Sequence, residues 1–306
     1  MENQEALRQT NIPQVQPMSE KNKHINRRKL IMNIVVTVLL ALGSVIMLFP
    51  FLWMLLATLK PGYEIYSGDL FPHEWTFAGY KEMWTECGYM MEGGIIRGFV
   101  NSIVTTVPVV LVQIIVSAFA AYAFAKLNFV GKNVMFLIFL GTMAIPFAVI
   151  MLPQAWLYGR MGLTNGPLAV IIPKFFGSIG TVFFLRQFLF GIPDSISEAA
   201  RLDGAGYTRT FISIILPLIM PALATQGILS FIGNWNDFLG PMLFIGDVNW
   251  KTLPLLVNDL NGAGGQMEYV PRALAASLVS LVPIVIVFAA FQKKIIGSIV
   301  FSAVKG

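Results

Sequence analysis

The chain has 306 residues, of which 56% are hydrophobic and 12% are charged. Soluble domains carry roughly 25% charged residues, so this chain cannot cover a water-facing surface and we predict a membrane protein. The net charge of +5 could indicate nucleic-acid binding, but the basic residues cluster beside apolar segments and do not interleave with stacking aromatic residues. We therefore exclude nucleic acid as a partner. The clusters beside the first and last apolar segments contain Lys21, Lys23, Arg27, Arg28, Lys29, Lys293 and Lys294.

Cysteine and histidine are scarce in this chain. The single cysteine, Cys87, excludes an internal disulfide and a multi-cysteine metal site, and we expect it to be an ordinary loop residue. His24 and His73 lie far apart in polar segments. A histidine-based site has little to build on, so we predict neither a metal site nor catalytic residues.

Six apolar segments are long enough to cross a bilayer as helices, which takes about 20 residues each. The first follows basic residues but is longer than the roughly 7–15 apolar residues of a cleavable signal peptide, so we interpret it as a retained span. We therefore predict an all-α membrane protein with six transmembrane helices. The predicted spans are 30–59, 99–125, 134–158, 167–190, 211–232 and 273–291.

Charge in the connecting segments predicts the orientation, because cytoplasmic loops near span ends are enriched in Lys and Arg. The basic segments are the two ends of the chain, the 126–132 turn and the 191–210 loop, whereas the segments 60–98 and 237–272 are acidic or mixed. Both termini are therefore predicted to be cytoplasmic. The predicted organisation is a polar cytoplasmic tail 1–29, a first span 30–59, an extracytoplasmic loop 60–98, a core 99–291 with five spans, and a cytoplasmic tail 292–306.

The acidic outer segments are longer than most loops. Loops of more than about 12–15 residues are uncommon unless they have a function, so both are candidate docking surfaces for an extracytoplasmic partner. The alternative is that they only cover helix ends. The second of these segments includes the glycine-rich stretch Gly262–Gly265.

A short helix is predicted in the cytoplasmic loop between the fourth and fifth spans. Ser195 stands three residues before Glu198, which is the spacing of a capping box at a helix start. Gly204 follows Asp203 and can end the helix in a left-handed conformation. Between these ends lie about two turns of helix.

One face of this short helix is small and apolar, with Ile196, Ala199 and Ala200 at i, i+3 and i+4. Alanine side chains allow close approach, so the helix is suited to a groove on a partner protein. The alternative is a helix that rests on lipid, but Glu198, Arg201 and Asp203 beside so short an apolar face disfavour it.

The loop resembles the "EAA" loop of permease subunits from binding-protein-dependent ABC importers. Flanking residues 186–188 and 233–239 also match, and the chain is similar to the carbohydrate-uptake branch, which includes the maltose-type permeases. The residues that match the motif at the family spacing are Glu198, Ala199, Ala200, Gly204, Ile214, Leu216 and Pro217.

The resemblance implies a type I ABC importer permease fold, in which the short helix couples the pore to ATPase subunits. The permease core would be 99–291 and the coupling loop 191–210. Coupling by ATPase closure would then rock the helices and open the pore toward a loaded binding protein. The residues to which the resemblance assigns this coupling are Glu198, Ala199, Ala200, Arg201, Asp203 and Gly204.

The implied partners are a second homologous permease, two ATP-binding subunits and an extracytoplasmic solute-binding protein that delivers a sugar or oligosaccharide. ATP and Mg would be used by the ATPase subunits. We find no G-x-x-x-x-G-K-[ST] phosphate loop in the sequence, so we expect this chain to bind no cofactor and not to be an enzyme.

Polar residues near the spans are candidates for the substrate pathway, because charge inside lipid is costly. Lys174 lies in the predicted fourth span, and Asn234, Trp235, Asn236 and Asp237 lie at the outer end of the fifth. Indole rings with amides and carboxylates suit sugars. The alternative for Trp235 is an interfacial residue, with its neighbours satisfying a helix end; Lys174 could extend to the interface or pair within the bundle.

Three other functions compete with that of a sugar importer. A membrane-embedded enzyme would need a nucleophile, an acid–base pair or a metal set within the spans, and no His, Cys, Asp or Glu is predicted well inside one. An ion-coupled secondary transporter would not explain the coupling motif. An ABC importer for a solute other than a sugar would explain the motif equally well.

Overall fold

The computed structural model describes residues 20–261 and 269–303, with side chains described for 27–261 and 269–292. Every regular element in these ranges is helical. Residues 1–19 of the predicted tail, the Gly262–Gly265 stretch and residues 304–306 lie outside them. The helices are α1 (Glu20–Ala57), α2 (Ala78–Met90), α3 (Gly94–Lys126), α4 (Lys132–Thr142), α5 (Phe147–Arg160), α6 (Leu168–Ile171), α7 (Ile179–Phe190), α8 (Asp194–Leu202), α9 (Tyr207–Thr210), α10 (Leu216–Trp235), α11 (Leu239–Phe244), α12 (Leu253–Leu260) and α13 (Val270–Ala303).

The chain divides after Trp53 into two compact units. The first unit contains most of α1, which is helical from Glu20 although residues up to 29 were expected to be a polar tail. The helix is apolar around its circumference beyond its basic start, which is typical of a helix surrounded by lipid. The second unit contains the remaining helices. At its end α13 extends to Ala303, so residues 292–303 of the predicted tail are helical.

Within the described residues, five helical segments are long and apolar enough to cross a membrane. A sixth span is present if α4 and α5 cross together, but these helices meet at 93°, so the predicted span 134–158 is not one helix. The break ends at Pro146, whose ring excludes a backbone donor and disfavours helix at the preceding residue. The five segments are Arg27–Ala57, Gly94–Lys126, Leu168–Phe190, Tyr207–Trp235 and Val270–Gln292.

The segment 60–98, expected to be a loop, contains helix α2 and the start of α3. Helix α2 is amphipathic and buries Met83 and Cys87, so Cys87 lies in a helix core and not in a loop. Close packing adds a constraint at Gly79, where a Cβ would lie 3.0 Å from the backbone of Pro271 in α13. Charged residues on the exposed face of α2 interrupt its apolar pattern, so this helix was not predicted from the sequence.

Three apolar clusters hold the second unit together. One joins α3, α4, α7 and α10 around Leu185, Phe211 and Ile219. A second joins α2, α3, α10, α12 and α13 around Trp235 and Leu253. A third lies between α5, α6 and α11. Helix α3 therefore packs at the centre of this unit.

Two irregularities interrupt the helices near the sites described below. Gly177 separates the 3-10 turn Ile172–Phe176 from α7 with a φ of +94°, and a Cβ there would lie 3.2 Å from Ser117 Oγ of α3. A π-helical turn at Phe211–Ile215 precedes α10, with the Leu216 N–H bonded to the Phe211 carbonyl. Pro217 follows at once and lacks an N–H, which accounts for a departure from regular α-helical bonding here.

Candidate functional site: helix α8 and the polar cavity

Helix α8 is the short helix predicted in the loop between α7 and α10. It begins at Asp194, one residue before Ser195, and its N-cap is Pro193 without a side-chain hydrogen bond. The predicted capping box of Ser195 and Glu198 is therefore wrong, because Ser195 lies inside the first turn and not at the cap. Asp194 instead places a carboxylate beside the positive end of the helix dipole.

The C-terminal end of α8 agrees with the sequence-based expectation. Gly204 has a φ of +79°, which favours glycine over residues with a Cβ. Its N–H donates to the Arg201 carbonyl at 3.0 Å, and the Ala205 N–H donates to the Ala200 carbonyl at 2.9 Å. These two bonds form a Schellman motif, so the helix ends sharply at a defined residue.

The faces of α8 differ in part from the predicted arrangement. Ala200 is buried against the chain itself together with Ser197, and Ile196 is half-buried. Ala199 and Glu198 are exposed, and so are Arg201, Asp203 and Gly204. Ile196, Ala199 and Ala200 therefore do not form one free surface, because only Ala199 among them faces outward.

Leu202 was not predicted as a residue of the partner-binding face of α8, although it is 89% exposed. It lies three residues after Ala199 and four after Glu198, so the three residues share one exposed face of α8. The i+3 and i+4 spacing from the motif could have identified it from the sequence.

Two contacts fix the ends of α8 to neighbouring helices. Lys126, the last residue of α3, donates from Nζ to the Ile192 carbonyl and to Asp194 Oδ1, each at 2.6 Å. This ion pair holds the pKa of Asp194 below its usual value, chiefly through the hydrogen bond from Lys126. At the other end, the Arg201 guanidinium lies 4.6 Å from the centre of the Tyr207 ring in α9. Sequence spacing gave no signal for Lys126.

An open cavity of about 490 Å³, here called the polar cavity, lies between α3, α5, α6 with the 3-10 turn that follows it, and α11. Lys174 and Asp237 line it, and Lys174 Nζ donates to Asp237 Oδ2 at 2.6 Å and to Asn234 Oδ1 at 2.9 Å. Three predicted pathway residues therefore meet, and Lys174 pairs within the bundle. The other residues along the cavity are Gln113, Phe147, Ile150, Gln154, Ala169, Val170, Pro173, Gly177, Ser178, Leu239, Gly240 and Phe244.

Amides and hydroxyls continue this polar cluster. Asn234 Nδ2 donates to the Ser230 carbonyl at 2.8 Å, and the Ser230 hydroxyl donates to Oε1 of Gln113, which lines the cavity. Thr181 and Gln226 are joined by a hydrogen bond of 3.2 Å between α7 and α10. Gln113 and Gln154 were missed, because isolated glutamines in apolar segments follow no motif.

The other two predicted pathway residues lie elsewhere. Trp235 is 1% exposed, stacks on Phe231 and donates from Nε1 to the Ser280 carbonyl of α13 at 3.1 Å. It is not among the residues that line the cavity, and its position in the packed core differs from the interfacial position that the alternative expected. Asn236 is exposed beside it.

Comparison with known proteins places these features in a family. The sequence profile of the "Binding-protein-dependent transport system inner membrane component" matches residues 113–296, which include the cavity residue Gln113 and the whole of α8. The matched region covers more than half of the chain.

The arabinooligosaccharides transport system permease protein AraQ of Halalkalibacterium halodurans is 33% identical over 90% of this chain and 98% of its own length. The trehalose/maltose transport system permease protein MalG of Thermococcus litoralis is 28% identical over 88% and 97%. A solved bacterial ABC transporter involved in the import of the acidic polysaccharide alginate has a chain that is 25% identical, with a TM-score of 0.70 over 87% of this chain and 97% of that one. The chain is thus a multi-pass membrane protein that belongs to the binding-protein-dependent inner membrane components, the permease subunits of ABC importers.

Proposed function

We propose that this permease forms half of the translocation pore of an ATP-driven importer for a sugar or oligosaccharide. The observation that carries the proposal is helix α8: a short exposed helix with the family motif at Glu198–Gly204 and a sharp glycine end. Relatives named for arabinooligosaccharides, trehalose/maltose and alpha-glucosides support the carbohydrate class. The chain would cross the membrane six times, with α4 and α5 as one broken span and both termini in the cytoplasm.

Helix α8 would insert its exposed face into a groove on a cytoplasmic ATPase subunit. Ala199 and Leu202 supply apolar surface to this face, and Glu198 and Arg201 supply charges that can pair across the interface. ATP and Mg would be bound by the two ATPase subunits, and closure of these subunits would move α8 as a rigid element. The chain itself would perform no catalysis.

The remaining partners would be a second, homologous permease and an extracytoplasmic solute-binding protein. The segment from Leu59 to Thr76 is a candidate for the outer contact, because a 3.0 Å hydrogen bond from the Thr76 N–H to the Leu59 carbonyl closes it into a compact loop. Its aromatic side chains Tyr66, Phe71 and Trp75 are exposed. Exposed aromatic residues are enriched in protein interfaces.

The polar cavity suits a neutral carbohydrate. Lys174 and Asp237 neutralise each other in its wall, Gln113, Gln154 and Ser178 offer neutral hydrogen-bonding groups, and apolar residues such as Phe147 can lie against sugar rings. Another solute class is the second candidate, because a 30% identical permease of Synechocystis is named for the uptake of osmoprotective compounds.

The proposal is tested by purifying the tagged chain from its native host in mild detergent and identifying the proteins that co-purify. We expect a second permease and an ATP-hydrolysing subunit, and we expect Glu198→Lys to lose the ATPase subunit while the permease pair is retained. Ser195→Ala, also exposed on α8 but outside the motif, is the matched control and should retain the complete complex. A lone chain that transports without ATP would contradict the proposal.

A further inference from the structure

We infer that Lys126 is a positioning residue that fastens the coupling helix α8 to the central helix α3, so that a displacement of α8 is transmitted to the wall of the polar cavity. This inference rests on the proposed function of α8. It assigns a role to a residue outside the family motif and 68 positions away from its partner Asp194.

The first observation is the geometry of the Lys126 side chain. It is only 5% exposed, yet its ammonium group contacts two oxygens at 2.6 Å, the Ile192 carbonyl and Asp194 Oδ1. These oxygens belong to the turn that enters α8 and to the first residue of α8. The Asp194 side chain is 78% exposed, so what distinguishes this contact from a pair of two exposed side chains is the buried lysine stem and its second bond to the Ile192 carbonyl.

The second observation concerns the other contacts of α8 among the described residues. Its principal helix contact is with α9, which follows it directly along the chain. Ser197 Oγ is buried on its inner face without a hydrogen-bond partner, so that face supplies packing but no polar link through this group. Lys126 therefore provides a polar link at the entry of α8, and Arg201 over Tyr207 provides a contact at its exit.

The third observation concerns what lies at the other end of the link. Lys126 ends α3, and Gln113 and Ser117 lie on the same helix. Gln113 lines the cavity, and Ser117 Oγ accepts a hydrogen bond of 3.0 Å from the Ser178 N–H, which lies beside Lys174 in the cavity wall. At 1.5 Å per residue, about 20 Å of helix joins Lys126 to Gln113. A continuous rigid element thus connects the entry of α8 with the cavity.

Two neighbouring basic residues serve the end of α3 without contacting α8 in the same way. Lys132 Nζ donates to the Ala125 and Leu127 carbonyls, and Arg186 Nε donates to the Phe124 carbonyl. Both cap backbone groups at the negative end of the α3 dipole. Lys132 is therefore a matched control, since its removal perturbs the same helix end but leaves the ion pair with Asp194.

The test uses the complete importer in proteoliposomes and measures ATP hydrolysis with and without the sugar-loaded binding protein. With Lys126→Met we expect stimulation of kcat by the binding protein to fall about tenfold, as one charge-assisted link is lost, with KM for ATP unchanged. Asp194→Asn should give a smaller loss, because its amide oxygen still accepts a hydrogen bond. Lys132→Met should retain the stimulation.

A double-mutant cycle separates positioning from general damage to the fold. If Lys126 acts through Asp194, the variant Lys126→Met/Asp194→Asn is no worse than Lys126→Met alone; fully additive losses overturn the inference. Unchanged stimulation in Lys126→Met, or an equal loss in Lys132→Met, also overturns it. If Glu198→Lys retains the ATPase subunit and full stimulation, the proposed function of α8 itself fails, which distinguishes the two results.

Discussion

The ammonium nitrogen of Lys174 lies 2.6 Å from Asp237 Oδ2, although 63 residues separate the two along the chain. The pair joins the broken segment before α7 to the segment after α10 and faces the polar cavity. Asn234 adds a second acceptor at 2.9 Å. The cavity wall therefore contains a lysine whose charge is neutralised by its own protein.

Removal of the Asp237 charge should impair transport. In Asp237→Asn the amide oxygen can still accept the hydrogen bond that Oδ1 receives from the Gly240 N–H, so the local turn is retained. Lys174 would then lack its counter-ion; since both side chains are partly exposed, we expect a cost of about 1–2 kcal/mol, below that of a fully buried pair. Uptake of a neutral oligosaccharide should fall and should recover in Lys174→Met/Asp237→Asn. Normal uptake by Asp237→Asn alone would show that the pair is dispensable.

Substitution at Gly204 should weaken the proposed coupling function of α8 without any steric clash. A Cβ at Gly204 meets no atom within 4 Å, so the effect of Gly204→Ala comes only from its φ of +79°. The left-handed conformation costs a residue with a Cβ about 1–2 kcal/mol. We expect fewer ATPase subunits to co-purify. Gly206→Ala is the control, because Gly206 has equal space and a φ of −70°; equal losses in both variants would contradict the role of the left-handed end.

Trp235→Ala should reduce stability and should not alter sugar preference. The indole is buried between Phe231, Phe99 and α13, and truncation of a buried Trp costs about 3–5 kcal/mol. The melting temperature should fall, and uptake of different sugars by the protein that remains folded should fall in equal proportion. Asn236→Ala, at an exposed position, should melt as the wild type does. A selective loss for one sugar would place Trp235 in the substrate pathway.

Cys87 should resist thiol reagents in the native protein. Burial in α2 raises the pKa of its thiol to about 11, and Glu86 makes a smaller contribution to this rise. Near neutral pH, Cys87 therefore has a smaller fraction of the reactive thiolate than an ordinary cysteine has. We expect negligible maleimide labelling at pH 7.4 until the protein is denatured. Ser195→Cys, at an exposed position of α8 outside the motif, should label rapidly under the same conditions. Rapid native labelling in the wild type would contradict the packing of α2.

The loop from Leu59 to Thr76 should make a small, pH-dependent contribution to the stability of the protein. His73 Nε2 donates a hydrogen bond of 2.9 Å to Asp69 Oδ2, and this bond raises the pKa of His73 above its ordinary value of 6.5. A raised folded-state pKa contributes stability below pH 6.5, and this contribution is lost as the pH rises through the folded value. Because both groups are exposed, the effect is slight. Asp69→Asn should flatten the change in melting temperature between pH 6 and 8; an unchanged pH profile in this variant would contradict the pairing.

The sequence predicted features that depend on residues close together along the chain, such as long apolar helices and a helix end. Apolar segments of sufficient length predicted the five long apolar helical segments, but not the break within 134–158, and Gly204 predicted the end of α8, because left-handed backbone strongly favours glycine. The start of α8 was misassigned because a helix that begins at Asp194 leaves Ser195 inside its first turn. Helix α2 was missed because its charged outer face interrupts the apolar pattern from which buried helices are identified.

Contacts between distant residues had no sequence signal. The pairs Lys126–Asp194 and Lys174–Asp237 depend on how α3, α7 and α10 pack, and no spacing in a single sequence encodes that packing. The predicted pathway residues lie in two different environments for the same reason, because helix packing decides which side of α10 faces the cavity. Asn234 and Trp235 are consecutive, but consecutive helical residues point about 100° apart, so one joins the polar cluster and the other the core.

The proposed coupling role of α8 is tested most directly by the uptake of a labelled neutral oligosaccharide into proteoliposomes that contain the purified importer with its binding protein. We predict accumulation that requires both ATP and the binding protein, and that is abolished by Glu198→Lys although the permease pair remains in the membrane. Accumulation without ATP, or full accumulation by Glu198→Lys, would contradict the assignment of α8 as the coupling helix.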